Sequence, residues 1–367
     1  MPKKCKIILA EILIEIKDFR NPNKIEYELV QILLVLIIGI LVGLTHVLHI
    51  VIFAQCHEDW FKTNLKLNKI PSRQTLERVL AFVNFCDLES ALILWLEELL
   101  KDKQARKRLA IDAKKTDKKS PNTTTFIRAF IGKLKLVVGS RRIPEYQNEI
   151  TEIPKLLKKL FIKGYLVSID AIGTQVEIAK LLLSKDADYL FCVKKNQKLL
   201  HEELMLYIKS EKSSDIFQTQ DKNHGRIEKR RFYKFDDVDW IRKRFPHWNH
   251  IQSFGLLESY RKERYKKASL TERILISSRD LTSEEFLIEI RAHWSIENNL
   301  HWPLNQSFSE NRIFSKCTSF INNFSLLLSF ALTLIAHSKP QNMSFNLHKI
   351  KLRSDLSRIS DLLYLGT

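Results

Sequence analysis

The chain is short of glycine and proline, with nine of each in 367 residues. Together they make up about 5% of it, against a usual total of roughly 12%, which excludes collagen-like and Gly-rich linker architectures and favours long regular elements. Cysteine is scarce as well. The five present, at positions 5, 56, 86, 192 and 317, are odd in number and far apart. No CxxC pair exists, so neither a disulfide framework nor a thiolate zinc site is supported, and a reducing cytoplasm is the expected compartment. A hydrophobic content of 45% rules out low-complexity disorder and supplies ample core. The length predicts two domains, or one large domain with an appendage.

Acidic residues are the minority: 42 Asp plus Glu against 60 Lys plus Arg, a formal net charge of +18. Residues 101–150 carry 14 basic and five acidic residues, and residues 221–280 carry 16 and nine. The two blocks therefore hold +9 and +7 of the excess. Such a pattern suits a groove that tracks a phosphate backbone, and nucleic acid is the expected partner before a membrane surface. An ordinary solvated surface, or a coding bias toward Lys, Ile and Asn, would give the same counts.

The longest apolar run, Ile32 to Ala54, has no formal charge over 23 residues and passes the length test for a membrane span. Gly39, Gly43, Thr45, His46 and His49 interrupt it, and no signal-peptide pattern precedes it. A buried helix pair is the preferred reading, a span the alternative. Ser72 is a candidate N-cap for a helix carrying Leu76, Val79, Leu80 and Val83 at helical spacing. Arg73 and Arg78 on it either meet DNA phosphate or sit on an ordinary helix surface. A second helix, Leu88 to Lys101, closes this region.

From residue 108 the pattern alternates short apolar runs with helical ones. Strands are predicted at Arg108–Asp112, Phe126–Phe130, Leu134–Gly139, Tyr165–Asp170 and Asp188–Val193. A helix capped by Asn148 runs to Leu160, and another spans Thr174–Ser184. This order gives a mixed sheet covered by helices. Asp112 and Asp170 end the first and fourth strands, which are neighbours in an RNase H-like sheet, so the two carboxylates would converge as hard-oxygen ligands for Mg²⁺. Taken singly, an Asp at a strand end is more often a turn former or helix cap. A third carboxylate is expected from Arg291–Trp302, where His293, Glu297 and His301 recur at i, i+4 and i+8 on one helix face. Zinc on that face alone is disfavoured, because one straight helix rarely wraps a tetrahedral ion. The remaining readings are an aromatic core helix with Trp294 and Trp302 inside, or Glu297 as metal ligand with neighbours that position DNA.

At these motifs the chain resembles the DDE transposases of bacterial insertion sequences, in particular the H-repeat-associated (ISAs-type) group. The resemblance is carried by IPSRQTLERVL, IDAK at 111–114, NEITEIPKLL at 148–157, VSIDAIGTQVEIAK at 167–180 and ADYLFCVKKNQ at 187–197. HGRIEKRR at 224–231, HWSIENNLHWPLNQSFSEN at 293–311 and SFNLHKIKLRSDLSRISDLL at 344–363 complete the series. It implies a mixed α/β fold: an RNase H-like core with a strand-rich insertion at about 205–283, preceded by an all-α domain. The domains would be 1–105 helical, 106–340 catalytic and 341–367 a basic tail. It also implies that Asp112, Asp170 and Glu297 are the catalytic triad, holding two Mg²⁺ ions (Mn²⁺ able to substitute) for strand cleavage and transfer. Lys114, Arg128, Lys195, His224, Arg226, Lys229, Arg230, Arg231, His293 and His301 are the DNA-contact candidates. The expected partners are the element's terminal inverted repeats and target DNA, bound by a homo-oligomer with no membrane involved. The location would be the bacterial cytoplasm, at the nucleoid when bound to DNA. A DNA-binding remnant without metal chemistry is the alternative function. Three positions depart from the family pattern: Ala113 and Lys195 replace Gly, and Asn305 replaces Asp.

Overall fold

The computed structural model describes residues 8–100, 107–115, 124–223, 225–264, 266–313 and 315–363. The N-terminal part is helical: α1 Leu9–Leu13, α2 Leu29–Leu41, α3 Val47–Cys56, α4 Glu58–Leu65, α5 Arg73–Phe82 and α6 Phe85–Leu100. The apolar run at 32–54 is split into α2 and α3. Gly43 makes the break at φ +93°, a conformation that costs L-residues with a side chain. Gly39 allows the two helices to meet, since a Cβ there would lie 2.5 Å from Ile50. α2 buries all but one of its 13 residues, and α3 buries Val47, Ile50, Val51, Phe53 and Ala54. Each fully buried Leu or Ile contributes about 1.5–3 kcal/mol, so this run is core material. Ser72 caps α5 through the Thr75 N–H, and Leu76, Val79 and Leu80 are buried, as the spacing predicts.

The strands follow: β1 Arg108–Lys115, β2 Thr125–Ile131, β3 Leu136–Ile143, then α7 Glu149–Lys159, β4 Leu166–Ile169, α8 Val176–Leu183, β5 Asp188–Val193 and α9 Lys198–Ser210. Next come β6 Asp215–Asn223, β7 Arg226–Phe235, α10 Asp239–Arg244, β8 Ser253–Glu263 and β9 Ser269–Ser277. The nine described strands form one sheet in the order β3-β2-β1-β4-β5-β9-β8-β7-β6. β1, β4 and β5 are parallel, and the rest pair antiparallel. This is the mixed α/β, RNase H-like arrangement expected. The strand-rich segment expected at about 205–283 joins this same sheet. It starts at β6, after the helix α9, and extends the same sheet through the β5–β9 pair.

The remaining helices are α11 Ser283–Ile296, α12 Trp302–Gln306, α13 Thr318–Ser338, α14 Phe345–Ser354 and α15 Ser357–Leu363. Thr282 caps α11 in a capping box with Glu285. α13 lies against α5, α2, α6 and β3, tying the helical layer to the sheet. Some of its polar residues tie it to its neighbours: Asn323 donates to the Leu80 and Val83 carbonyls at 2.9 and 3.0 Å, and Thr333 to the Lys135 carbonyl at 2.9 Å. Among the described residues α13 alone is a continuous helix long and apolar enough to cross a bilayer, and 78% of its apolar window is buried inside the protein. The segment expected as a tail is instead α14 and α15, with Leu352, Leu356, Ile359 and Leu363 in the core.

One carboxylate is buried far from the strand ends. Glu89 of α6 accepts the Ser140 N–H at 2.7 Å in the middle of the edge strand β3. Burial pushes its pKa up to about 7, against the pull of that N–H and of Lys159.

Candidate active site

β1 and β4 run parallel in a register that places Ile111 opposite Ile169. The next residue on each, Asp112 and Asp170, therefore emerges at the same end of the sheet. Asp170 also opens a 3-10 turn, Ala171–Gly173. That turn is held by the KKNQ segment: Asn196 Nδ2 donates to the Ala171 carbonyl at 2.7 Å and Gln197 Nε2 to the Thr174 carbonyl at 3.0 Å. The third carboxylate arrives from α11. Past Ile296 the helix widens into a π-helical segment, Glu297–His301, in which the Trp302 N–H reaches back to the Glu297 carbonyl. Such segments recur at functional sites. Ligand atoms of Asp112, Glu297 and His301 lie within 4.8 Å of one another.

The two histidines expected to touch DNA are instead buried behind the carboxylates. His301 is fully buried, and its Nε2 lies 3.0 Å from Asp112 Oδ2. The other Asp112 oxygen accepts the Ala113 N–H at 2.9 Å. His293 is also buried. Its Nδ1 meets Ser168 Oγ at 2.9 Å and its Nε2 stands 3.7 Å from Asp170 Oδ1. The His293 ring holds the Asp170 carboxyl below the usual carboxylate range, helped by Lys194 and Arg273 and opposed by burial. His293 and His301, spaced two turns apart, meet two different aspartates. Trp302, a candidate core residue, is 55% exposed.

A fourth carboxylate joins this end of the sheet. Glu149 is the first residue of α7, whose Ile153, one turn later, packs against Gly173 beside Asp170. Burial raises the Glu149 pKa, and the negative charges of Asp112 and Asp170 raise it further. In the sequence it reads only as an acidic residue stabilising a helix N-terminus, so its second neighbourhood is invisible there. Lys114 is half-buried nearby. Burial lowers its pKa, opposed by Glu297, Glu310 and Asp112.

Arg128 is the clearest correction. It is fully buried, pairs with Glu310 and donates to Ser325 Oγ at 2.7 Å, so it cannot meet DNA. The cue was present: an Arg flanked by Ile127 and Ala129 inside an apolar strand signals a buried ion pair. Lys195 is exposed in a short 3-10 turn. Neither it nor Ala113 has positive φ, so losing the family glycines strains neither loop. Asn305 Oδ1 is buried without a partner among the described residues.

The basic hairpin divides between the two faces of the sheet. Arg226 and Arg230 line a cleft of about 300 Å³ against Arg291, Trp294 and Asn298, next to Glu297. Arg226 is paired with Glu228, and Arg230 with Glu228 and with Asp221, the latter at 2.9 Å. Alternation puts Lys229 and Arg231 on the opposite face. There Lys229 is exposed and Arg231 binds Gln218 at 3.0 Å. His224 lies outside the described residues.

Comparison with known proteins places both parts of the chain. Residues 10–96 match the DDE_Tnp_1-associated model, and residues 108–334 match the Transposase DDE domain. "Putative protein YbfL" and "H repeat-associated putative transposase YhhI", both of Escherichia coli (strain K12), are each 31% identical over 346 residues, covering 90% of this chain and 91% of theirs. "Putative transposase YncI" of Escherichia coli O157:H7 is 31% identical over 323 residues, 83% of this chain and 80% of its own. A cryo-EM structure of the piggyBac transposase synaptic complex with hairpin DNA is a distant likeness, at TM-score 0.43 and 12% identity over 97% of this chain and 77% of that one. With a domain model spanning more than half its length and these relatives along nearly all of it, the chain belongs to the DDE transposase family.

Proposed function

We propose that the protein cuts and rejoins DNA strands at the ends of an insertion sequence, with Asp112, Asp170 and Glu297 as the metal-binding triad. The observation that carries this reading is the convergence of Asp112 and Glu297 donors within 4.8 Å, with Asp170 emerging beside them in register. The donor set fits divalent cations: the carboxylates are hard-oxygen ligands, and neither Glu297 nor Glu149 has a hydrogen bond or ion pair among the described residues. Two bound Mg²⁺ or Mn²⁺ ions would activate the attacking water or 3′-hydroxyl and stabilise the leaving oxygen.

The chain's own residues fix the geometry. β1 and β4 set the spacing of the aspartates through their register, and the Asn196 and Gln197 contacts lock the loop behind Asp170. The carboxylates serve as ligands. His293 supports this for Asp170 by holding its carboxyl low. Lys114 beside the carboxylates, with Lys195, Arg226, Lys229, Arg230 and Arg231 farther out, would receive the phosphates flanking the scissile bond. Residues 1–105 would supply a helical domain, 106–340 the catalytic domain, and a homo-oligomer would bridge two element ends in the cytoplasm.

The test is incubation of the purified protein with DNA bearing the element's terminal repeats and either Mg²⁺ or Mn²⁺. Metal-dependent nicking that Asp170→Asn abolishes is the expected result. A protein that retards this DNA in a gel but never nicks it would instead be a DNA-binding remnant.

A further inference from the structure

We infer that His301 is a direct nitrogen ligand of a divalent cation held by Asp112 and Glu297, so that one cation position is a mixed nitrogen–oxygen centre. The inference rests on the metal-dependent reading above and goes beyond its three carboxylates. The two histidines at the site differ in how they are held. His293 uses both ring nitrogens on protein groups, Ser168 and Asp170, as a residue that positions a carboxylate should. His301 does not. Its Nδ1 is buried with no partner among the described residues, so only Nε2 is engaged, and it points at Asp112 Oδ2 3.0 Å away.

Glu297 reaches the same point from the other end of the π-helical segment. The three donor atoms lie within 4.8 Å of one another, a spread that one ion can bridge by shifting side chains a short way. They also come from two separate elements, β1 and the segment after α11, which removes the objection to one straight helix enclosing an ion. Two carboxylates and a neutral imidazole balance a doubly charged ion. The ring is fully buried, so water cannot easily take the imidazole's place.

A nitrogen donor changes the preference of the site. Mg²⁺ favours all-oxygen coordination, whereas imidazole suits later transition metals. The Asp112–Glu297–His301 position should therefore hold Mn²⁺ more tightly than Mg²⁺.

The experiment loads the full-length protein with Mn²⁺ alone and records pulsed EPR for nuclei bonded to the ion. The expected spectrum shows a directly coordinated ¹⁴N that becomes ¹⁵N when histidine is labelled. That signal should persist in His293→Gln and vanish in His301→Gln. Mn²⁺ affinity should fall at least about tenfold in His301→Gln, with a smaller change for Mg²⁺. Labelled wild-type protein and His293→Gln together decide the matter even where His301→Gln does not fold. Bound Mn²⁺ with oxygen couplings only, or a nitrogen coupling that survives His301→Gln, would overturn the inference and leave the triad standing. Absence of any Mn²⁺ binding would overturn both.

Discussion

Charge is handled in opposite ways at the carboxylate end of β1 and β4 and in the basic β6–β7 hairpin. Asp112, Asp170, Glu149 and Glu297 gather at the first, and the groups seated closest against the two aspartates are two buried histidines. In the hairpin, by contrast, Arg226 and Arg230 are matched by Glu228 and Asp221. The acidic cluster thus has a standing deficit of positive charge that divalent cations can fill. The hairpin, the most basic-looking motif in the sequence, has part of its charge already spent. A run of basic letters overstates the charge available to DNA wherever acids on the same or the paired strand sit beside it.

The contrast is sharpest where one charge is removed. Asp112→Asn, Asp170→Asn or Glu297→Gln should each lower metal-dependent nicking by at least about a hundredfold, since even outer-shell changes at metal sites cost about 10–100-fold. Circular dichroism should show the fold intact. Retained nicking in all three would break the assignment of the deficit to catalysis.

The next largest effect concerns a charge pair that is neither exposed nor catalytic. Removing Glu310 leaves Arg128 buried and unpaired, which should lower stability by about 3–5 kcal/mol in urea unfolding. Removing an acid from the hairpin, as in Glu228→Gln, should cost no more than about 1 kcal/mol, because Arg226 is exposed and Arg230 keeps its pair with Asp221. Equal losses would mean that the hairpin pairs are as structural as the core pair.

Glu89 sharpens the comparison from another side, as a buried acid with no role at the site. Its folded pKa of about 7 is raised above the ordinary 4.5, so the folded state takes up a proton. Its contribution to stability is then full below about pH 4.5 and is lost as pH rises through about 7. Wild-type stability should fall by a few kcal/mol across that window. Glu89→Gln, which can still accept the Ser140 N–H, should flatten the dependence. An unchanged pH profile would show that the carboxylate is not desolvated as its position implies.

The smallest effect is expected for binding. Lys229→Ala should weaken DNA retention modestly and reduce its salt slope by about one, while Arg128→Met should leave that slope unchanged. The reverse order would mean that the buried arginine, and not the exposed lysine, reaches phosphate.

Much of this was legible beforehand. The strands at 108, 126, 166 and 188 and the caps at Ser72 and Asn148 follow from local patterning, which acts over a few residues. Asp170 directly follows β4 as the pattern predicts, whereas Asp112 lies inside β1, which runs on to Lys115 paired with β2. That these strands are neighbours is what the RNase H-like resemblance implies, not local patterning. Glu149 was missed because an acid at a helix start has a sufficient local explanation. The role of Asn196 and Gln197 in holding the Asp170 turn was missed because their partners are some two dozen residues away. α13 is hard to read in the sequence because polar residues such as Asn323, Ser325, Ser329 and Thr333 interrupt its apolar run, and only packing shows them buried.

The sequence by itself determined many of the strands and helices, which family they resemble, and which two acids the central strands β1 and β4 carry, because those properties are written in short-range periodicity and motif order. Only the tertiary structure decided which charges are spent and which are free. Arg128 meets Glu310 across 182 residues of chain, and His301 meets Asp112 across 189. Burial and pairing over such distances depend on how the sheet and α11 pack, and a side chain's chemistry carries no record of its partner until packing removes the water between them.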